Sequence, residues 1–243
     1  MDTGRAIVVI PTYDEADNIE RTIDGLLAAV PTVNVLVVDD DSPDGTGALV
    51  DALAAADPRI RTLHRATRDG LGHAYLAGFH RALDDGFDTI VEMDADGSHP
   101  AAALPAILEA LREHDLVIGS RWVRGGAVAN WPRRREWLSR AANTYARILL
   151  GLPVRDSTAG YRAFRASTLR AIDLDGVVSR GYCFQIDMTR RVVEAGQSVA
   201  EVPITFVDRV AGRSKMSGAI VVEAMLRVTG WGLRRLFAPA RRR

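Results

Sequence analysis

Two carboxylates separated by one residue are the strongest chemical signal in this sequence. Asp94 and Asp96 follow Thr89–Val91, a short β-branched run typical of a buried strand, and they precede an alanine-rich segment with Pro100 near its start, which predicts a helix. Ligands of open α/β sheets bind at the carboxyl ends of the strands, so both carboxylates are expected at a binding edge. Such a pair can hold one hard divalent cation that also takes phosphate oxygens from a substrate.

Two earlier strands also end in polar segments. The run Ala6–Ile10 leads into Pro11–Glu15, and Val33–Val38 leads into Asp39–Thr46. Neither segment contains Gly-x-Gly-x-x-Gly or Gly-Lys-Ser/Thr, which disfavours a dinucleotide-binding turn and a P-loop. Carboxylates at these positions can instead accept hydrogen bonds from a base or a ribose, and Tyr13 can stack on a base.

The segment Asp40–Asp51 imitates the spacing of an EF-hand calcium loop. An EF-hand loop is entered from a helix, whereas Val35–Val38 is strand-like and Pro43 lies inside the loop. The calcium interpretation is therefore rejected. Asp41 or Ser42 is expected to act as a helix N-cap.

Strand and helix patterns alternate through the first half of the chain. This alternation predicts an α/β fold with a mostly parallel sheet and helices on both faces. The predicted strands are Ala6–Ile10, Val33–Val38, Ile60–Leu63, Thr89–Met93 and Leu116–Ile118, and the predicted helices are Asn18–Ala29, Asp44–Ala56, Leu71–Leu83 and Leu104–Leu111.

The second half is less regular. Residues 121–133 lack periodicity and are expected to form a loop, as is the polar stretch Asp208–Ser217. The other predicted elements are helices at Glu136–Leu150, Cys183–Ala195 and Ile220–Phe237 and strands at Tyr161–Phe164 and Val199–Val207. The last helix carries two apolar faces and C-terminal arginines, so it can pack on a core or lie in a membrane interface.

Composition narrows the class of protein. The chain has 243 residues, 47% of them hydrophobic, and its single cysteine, Cys183, excludes a disulfide framework. It has no signal-peptide pattern and no apolar run of the roughly 18 residues that a spanning helix requires. A soluble or peripheral protein is expected.

Charge is distributed unevenly although the net charge is zero. Residues 1–57 carry 12 acidic and 2 basic side chains, whereas residues 121–147 carry 7 basic and 1 acidic, and residues 209–243 carry 9 basic and 1 acidic. This asymmetry suggests a cation site that meets anionic ligands, although a solvated surface explains part of the basic segments. Lys215 is the only lysine, which suggests that a compact ammonium is needed there.

Six motifs together resemble a GT-A glycosyltransferase of family 2, and more narrowly the polyprenol-phosphate (dolichol-phosphate) mannosyltransferases. The motifs are Val8–Glu15, Val38–Thr46, Met93–Asp96, Gly119–Arg121, Asp156–Arg162 and Phe206–Met216. The resemblance runs from about Ala6 to Gly218 and implies a GT-A, Rossmann-like fold. We therefore expect a glycosyltransferase domain over residues 1–218 and a C-terminal amphipathic, basic helix and tail over residues 219–243, without a transmembrane span.

The resemblance also implies roles for individual residues. Asp94, Asp96 and Ser98 match the metal site, although many relatives carry Gln at the last position, so water can intervene at the shorter Ser98. Arg121, Arg135 and Ser139 match the positions for the acceptor's phosphate. The implied nucleotide-sugar pocket comprises Pro11, Tyr13, Glu15, Val38, Asp40, Asp94, Ala95, Asp96, Arg209 and Lys215, and the residues implied to act in the reaction are Asp96, Arg121, Arg209 and Lys215.

The implied reaction is metal-dependent, inverting transfer of mannose from GDP-mannose to a polyprenyl monophosphate, with Mg²⁺ or Mn²⁺ as cofactor. Two alternatives stay open, a family 2 transferase that uses a UDP-sugar (glucose or GlcNAc) and a non-catalytic scaffold that keeps the fold. Asp156 can be structural or can touch the sugar. The lipid acceptor implies peripheral contact with the cytoplasmic face of a membrane, or a small membrane partner subunit, and no nucleic acid partner is expected.

Overall fold

The computed structural model describes residues 4–179, 181–208 and 218–237. Nine strands lie within these ranges: β1 Ala6–Thr12, β2 Asn34–Asp39, β3 Ile60–His64, β4 Thr89–Glu92, β5 Leu116–Ser120, β6 Ala127–Ala129, β7 Arg162–Arg165, β8 Val199–Pro203 and β9 Thr205–Val207. The eight α-helices of the same ranges are α1 Ala16–Ala29, α2 Thr46–Ala56, α3 Leu71–Asp84, α4 Leu104–Ala110, α5 Arg133–Leu150, α6 Ala166–Ala171, α7 Tyr182–Glu194 and α8 Gly218–Phe237.

Seven strands form the central sheet in the order β3-β2-β1-β4-β7-β5-β8. All neighbours are parallel except at β7, which runs antiparallel to both β4 and β5. A separate pair, β6 and β9, is parallel. The sheet is therefore mostly parallel, as the alternation of strand and helix patterns predicts.

The sheet is buried on both faces. Along β1, Ile7 and Val9 belong to one apolar cluster, whereas Val8 and Ile10 belong to the cluster on the opposite face. Strands that are covered on both sides need apolar residues at every position, which is why β1 and β2 read as continuous hydrophobic runs. The helices on both faces leave the carboxyl ends of β1, β2 and β4 as a shared edge.

The structure departs from the predicted elements in the second half. The predicted strand Val199–Val207 is two strands in different sheets, because β8 pairs with β5 whereas β9 pairs with β6. Ile204 lies between them, and its N–H donates to the carbonyl of Ser120 at the end of β5. The predicted loop 121–133 contains β6, and α5 begins three residues earlier than the predicted start at Glu136. The short helix α6 was not predicted.

Helix α8 packs beside α5 and α7, with Val228 buried in one of the two core clusters. Met225, Leu226 and Leu233 are exposed, so the helix has both a packed face and an apolar outer face. None of the helices in the three described ranges is both long and apolar enough to cross a membrane. The proposed division between residues 218 and 219 stays a prediction.

Candidate active site

The loop after β4 holds the two carboxylates in a largely buried position. Tyr75 donates its hydroxyl to Oδ1 of Asp94 at 2.8 Å, and the backbone N–H of Asp94 donates to Nδ1 of His99 at 3.3 Å. The N–H of Ser98 donates to Oδ1 of Asp96 at 3.0 Å. Burial and the Asp94 carboxylate raise the pKa of Tyr75 well above its ordinary value, so its hydroxyl remains a donor to Asp94.

This loop fits a divalent cation in its donor set. The Oγ of Ser98 is buried and has no hydrogen-bond partner among the described residues, and Ser98 itself is 1% exposed. Gly160 lies against the carboxylate of Asp94, since a Cβ placed on it would be 3.6 Å from Oδ2 of Asp94, at van der Waals contact. No cluster of three or more His, Cys, Asp or Glu suited to a metal occurs in the described part of the chain. Two carboxylates and a hydroxyl suit a cation that takes its remaining ligands from substrate and water.

The ends of β1 and β2 are joined by a polar network. Asp39 accepts hydrogen bonds from the hydroxyls of Thr12 at 3.0 Å and Ser42 at 2.6 Å. Asp44 accepts from the N–H of Thr46 at 3.0 Å and from that of Ala16 at 2.9 Å. The segments after β1 and β2 are therefore fixed to each other before any ligand arrives.

The predicted N-cap at Asp41 or Ser42 is wrong. Helix α2 begins at Thr46 after Gly45, which occupies the left-handed region at φ 88°. Asp44 performs the capping instead, because its carboxylate accepts from the first N–H groups of both α1 and α2.

Asp40 and Tyr13, both predicted to contact the nucleotide, lie against arginines that the sequence reasoning missed. Arg65 donates to Asp40 at 2.6 Å and to Asp69 at 2.5 Å. The guanidinium carbon of Arg68 lies 3.5 Å from the centroid of the Tyr13 ring. Burial raises the pKa of Asp40 even though Arg65 opposes that shift. Both arginines follow β3, so the expectation that ligands bind at the carboxyl ends of strands applies to this segment as well.

The other predicted nucleotide residues occupy the same edge. Val38 is fully buried in the core, so it can face a ligand only through its backbone, whose carbonyl accepts from Thr12 Oγ1 at 3.4 Å. Glu15 precedes α1 and accepts from the Asn18 amide at 2.9 Å. Pro11 is buried at the end of β1. The carbonyl of Ala95 accepts from the hydroxyl of Thr22 on α1 at 3.0 Å, which fixes the loop after β4 to that helix.

Arg121, predicted for the acceptor phosphate, is buried in an ion pair. Its Nε and Nη2 donate to the two oxygens of Asp156 at 2.7 and 2.6 Å, and its backbone N–H donates to the same carboxylate at 2.9 Å. Nη2 also donates to Oγ1 of Thr158 at 2.9 Å. Asp156 is 0% exposed, which favours the structural interpretation of this residue over contact with a sugar.

Arg135 lies in the first turn of α5 with its guanidinium carbon 3.9 Å from the Trp131 ring centroid. Its Nη1 donates to both oxygens of Asp208 at 3.0 Å. Ser139 is one turn further along α5, on the helix face that the four-residue spacing predicts. Arg121 also lies 5.5 Å from the Trp131 ring, so the two predicted acceptor arginines flank one indole.

Aromatic contacts connect the loop after β4 to the residues predicted to bind the acceptor. The ring of His99 lies 5.3 Å from that of Phe206, and Phe206 lies 5.5 Å from Trp131. The predicted donor residues Arg209 and Lys215 lie outside the described residues.

Arg162 is a fully buried residue that the sequence reasoning did not single out. It donates to the carbonyls of Ser157 and Ala159 at 2.7 Å each and to that of Gln185 at 2.7 Å, so it fixes the loop that carries Asp156. Its Nε lies 3.3 Å from Oε1 of Glu92. Burial raises the pKa of Glu92 to about 8, and Arg162 opposes this shift.

Asn143 joins α5 to the same loop. Its side-chain oxygen accepts from Ser157 Oγ at 3.0 Å, and its nitrogen donates to Thr158 Oγ1 at 2.9 Å and to the Ser139 carbonyl at 3.0 Å. An asparagine within an Arg-rich amphipathic helix gives no distinguishing signal in the sequence.

Comparison with known proteins gives one family and several close relatives. Residues 7–173 match the family described as Glycosyl transferase family 2. The chain is 57% identical to "Undecaprenyl-phosphate mannosyltransferase" of Micrococcus luteus, over 94% of this chain and 94% of that protein. It is 55% identical to "Polyprenol monophosphomannose synthase" of Mycolicibacterium smegmatis, over 96% of this chain and 88% of the relative.

A solved structure supports the fold. Glucosyl-3-phosphoglycerate synthase from Mycobacterium tuberculosis, in complex with Mn²⁺, UDP and phosphoglyceric acid, superposes with a TM-score of 0.66 at 22% identity, over 98% of this chain and 80% of that one. At this identity the likeness concerns the architecture alone.

Proposed function

The chain belongs to glycosyl transferase family 2, and from this premise we propose that it transfers mannose from GDP-mannose to a polyprenyl monophosphate. The observation that carries the proposal is the line of ring contacts from His99 through Phe206 to Trp131 and Arg135, because it links the carboxylate loop to an arginine, a residue type that binds phosphate. The names of the two close relatives support the sugar and the class of acceptor.

Asp94, Asp96 and Ser98 would hold the cation, Mg²⁺ or Mn²⁺. When bound, the cation supplies positive charge that stabilises the departing nucleotide diphosphate. Two hydrogen bonds hold one oxygen of each carboxylate in place. Tyr75 donates to Asp94, and the Ser98 N–H donates to Asp96.

The nucleotide would lie along the ends of β1 and β2. Asp40 can accept from a base or ribose, with Arg65 holding its carboxylate at 2.6 Å. The guanidinium of Arg68 lies over the ring of Tyr13. A base that stacks on this ring would displace the guanidinium or pack beside it. Pro11, Glu15, Val38 and Ala95 would complete the pocket, and Arg209 and Lys215 would contact the diphosphate.

The nucleophile needs little activation. A phosphate monoester has a second pKa of about 6, so the acceptor oxygen is largely ionised at neutral pH and no general base is required. Arg135 would align this oxygen, with Ser139 one turn away, whereas the guanidinium of Arg121 is largely committed to Asp156. In-line attack opposite the leaving nucleotide would invert the anomeric centre, with Asp96 orienting the reacting groups rather than acting as a base.

A donor panel tests this assignment. Purified protein is incubated with a short-chain polyprenyl phosphate and labelled GDP-mannose, UDP-glucose or UDP-GlcNAc, with Mg²⁺, with Mn²⁺ or with excess chelator. We expect incorporation from GDP-mannose that the chelator abolishes. Incorporation from a UDP-sugar alone would establish the alternative transferase, and no transfer from any donor would favour the scaffold.

The lipid acceptor requires a membrane contact, which we place on α5 and α8 at the cytoplasmic face. Trp137 is 72% exposed and Ile148 69% exposed on α5, and Leu226 is 69% exposed on the adjoining α8. Arginines accompany them, including Arg133 and Arg140, which suits anionic lipid.

Vesicle sedimentation tests this surface. Binding to phosphatidylglycerol vesicles should fall as salt rises, because attraction between arginine and lipid charge is screened. Trp137→Ser with Ile148→Ser should weaken binding, whereas Val178→Ser, at an exposed apolar side chain outside both helices, should not. Absence of binding at every salt concentration would favour a membrane partner subunit.

A further inference from the structure

The ring of Trp131 contacts both arginines that are predicted to bind the acceptor phosphate. Besides the guanidinium of Arg135 at 3.9 Å and that of Arg121 at 5.5 Å, its ring meets Phe206 edge-on at 5.5 Å and Trp122 at 6.4 Å. Arg135 is held between this ring and the carboxylate of Asp208. The indole therefore sets the position of the arginine that the proposed function assigns to the acceptor phosphate.

The indole N–H of Trp131 is a buried donor without a protein acceptor. Nε1 has no hydrogen-bond partner among the residues that the structure describes, although it is shielded from solvent. Buried polar groups are normally paired, and an indole nitrogen can only donate. The missing acceptor of this N–H is therefore an oxygen atom that belongs to none of the described residues.

The side chains around Trp131 indicate which chemical group supplies this oxygen. Two guanidinium groups lie against the same ring, and the other ring neighbours, Phe206 and Trp122, present aromatic carbon. Arg121 is paired with the buried Asp156, but Arg135 is paired with the partly exposed Asp208, with which a phosphate can compete. A phosphate oxygen accepts hydrogen bonds and carries negative charge, so it suits the indole N–H beside the Arg135 guanidinium better than an uncharged sugar hydroxyl does.

We propose that the Nε1–H of Trp131 donates a hydrogen bond to a phosphate oxygen of the polyprenyl phosphate acceptor, next to Arg135. This inference rests on the proposed function and adds a ligand that the resemblance does not assign. Trp131 thereby has two separable roles, since its ring face supports Arg135 and its N–H contacts the substrate.

Steady-state kinetics of Trp131→Phe separate these roles, because phenylalanine keeps an aromatic face under Arg135 and lacks the N–H. With a short-chain polyprenyl phosphate in detergent, we expect the acceptor KM to rise about ten-fold, the size of one hydrogen bond to a charged group. The KM for GDP-mannose should stay within two-fold of the wild-type value. Trp131→Leu, which also removes the platform, should raise the acceptor KM further.

Trp231→Phe is the matched control. Trp231 packs against the core, and the guanidinium of Arg190 lies 4.8 Å from its ring centroid, so the same chemical change is made beside another arginine, one that the proposed function does not use. Its kinetics should match those of the wild type. An unchanged acceptor KM in Trp131→Phe would overturn the inference, and so would a rise confined to the GDP-mannose KM, which would assign the N–H to the donor.

A measurement on the wild-type protein covers the case in which Trp131→Phe does not fold. With ¹⁵N-labelled indole, the four tryptophans give four Nε1–H signals, and Trp→Phe changes at the other three identify the Trp131 signal by elimination. Addition of the short-chain polyprenyl phosphate should move this signal downfield, and addition of GDP should not. A signal that does not respond to the acceptor would overturn the inference. Failure of wild-type protein to transfer mannose in the donor panel would instead overturn the proposed function.

Discussion

The two sides of the candidate site are built in different ways. On the side predicted to bind the donor, Asp39 and Asp44 at the end of β2 accept hydrogen bonds from Thr12 and Ala16 at the end of β1. Asp94, which follows β4, accepts one from Tyr75 on α3. On the acceptor side, Arg121 and Arg135 depend on Asp156 and Asp208, partners 35 and 73 residues away in sequence. The donor side is thus fixed by strand topology, whereas the acceptor side depends on a few long-range ion pairs and ring contacts.

Removing a carboxylate from the donor side should have the largest effect on activity. Asp96→Ala should lower kcat by about a thousand-fold or more, because one of the two carboxylates proposed to hold the cation is lost. Its unfolding midpoint in urea should stay close to that of the wild type. Asp84→Ala, at an exposed carboxylate at the end of α3, is the control and should leave kcat unchanged. Turnover retained by Asp96→Ala would contradict the proposed cation site.

Breaking the ion pair on the acceptor side should chiefly affect stability. Asp156→Asn leaves the guanidinium of Arg121 buried without its counter-charge, which should destabilise the fold by about 3–5 kcal/mol. Urea unfolding measures the change. Glu136→Gln, which removes a partly exposed partner of Arg140 on α5, should cost less than about 1 kcal/mol. Equal losses in the two variants would show that the acceptor side does not depend on this buried pair.

Glu92 lies between the two sides and should make stability depend on pH. Its pKa in the folded protein is about 8 against an ordinary value of 4.5, so its contribution is fully present below about pH 4.5 and is lost as the pH rises towards 8. Glu92→Gln cannot ionise, so its stability relative to the wild type should grow over this range, by at most about 1.4 kcal/mol per pH unit.

Urea unfolding at pH 5, 6.5 and 8 measures this difference. The neutral amide keeps the side-chain volume, and Arg162 retains its bonds to backbone carbonyls. A gap between variant and wild type that does not change with pH would mean that Glu92 is ionised throughout in the folded protein.

The smallest expected effect concerns the counter-ion of Arg135. Asp208→Asn removes a partly exposed carboxylate that would compete with the acceptor phosphate for the same guanidinium, so the acceptor KM should fall about two- to three-fold. The KM for GDP-mannose should not change. A rise in the acceptor KM would mean that Asp208 orients Arg135 for the substrate rather than competing with it.

The difference between the two sides also explains what the sequence could predict. The mostly parallel sheet, the strand-end loops and membership of family 2 followed from local patterns and motifs, and all three are confirmed. Local spacing also placed Arg135 and Ser139 on one helix face. The assigned site roles themselves stay predictions.

What the sequence could not predict depends on contacts between distant segments. The antiparallel direction of β7, the pairing of Arg121 with Asp156 and the place of Trp131 between two arginines require the fold to be known. Arg65 and Arg68 are the exception, because they lie in the segment that directly follows β3, and the expectation that ligands bind at the carboxyl ends of strands applies to that segment too.

The position of β7 has a consequence for synthesis on the ribosome. Strands β1 to β4 pair among themselves by residue 92, but β5 can join this sheet only through β7, which ends at Arg165. Until then a nascent chain presents the free edge of β4, and unpaired strand edges favour association with other chains. The nucleotide half can therefore assemble early, while the half proposed to handle the lipid must wait until more than two thirds of the chain has been made.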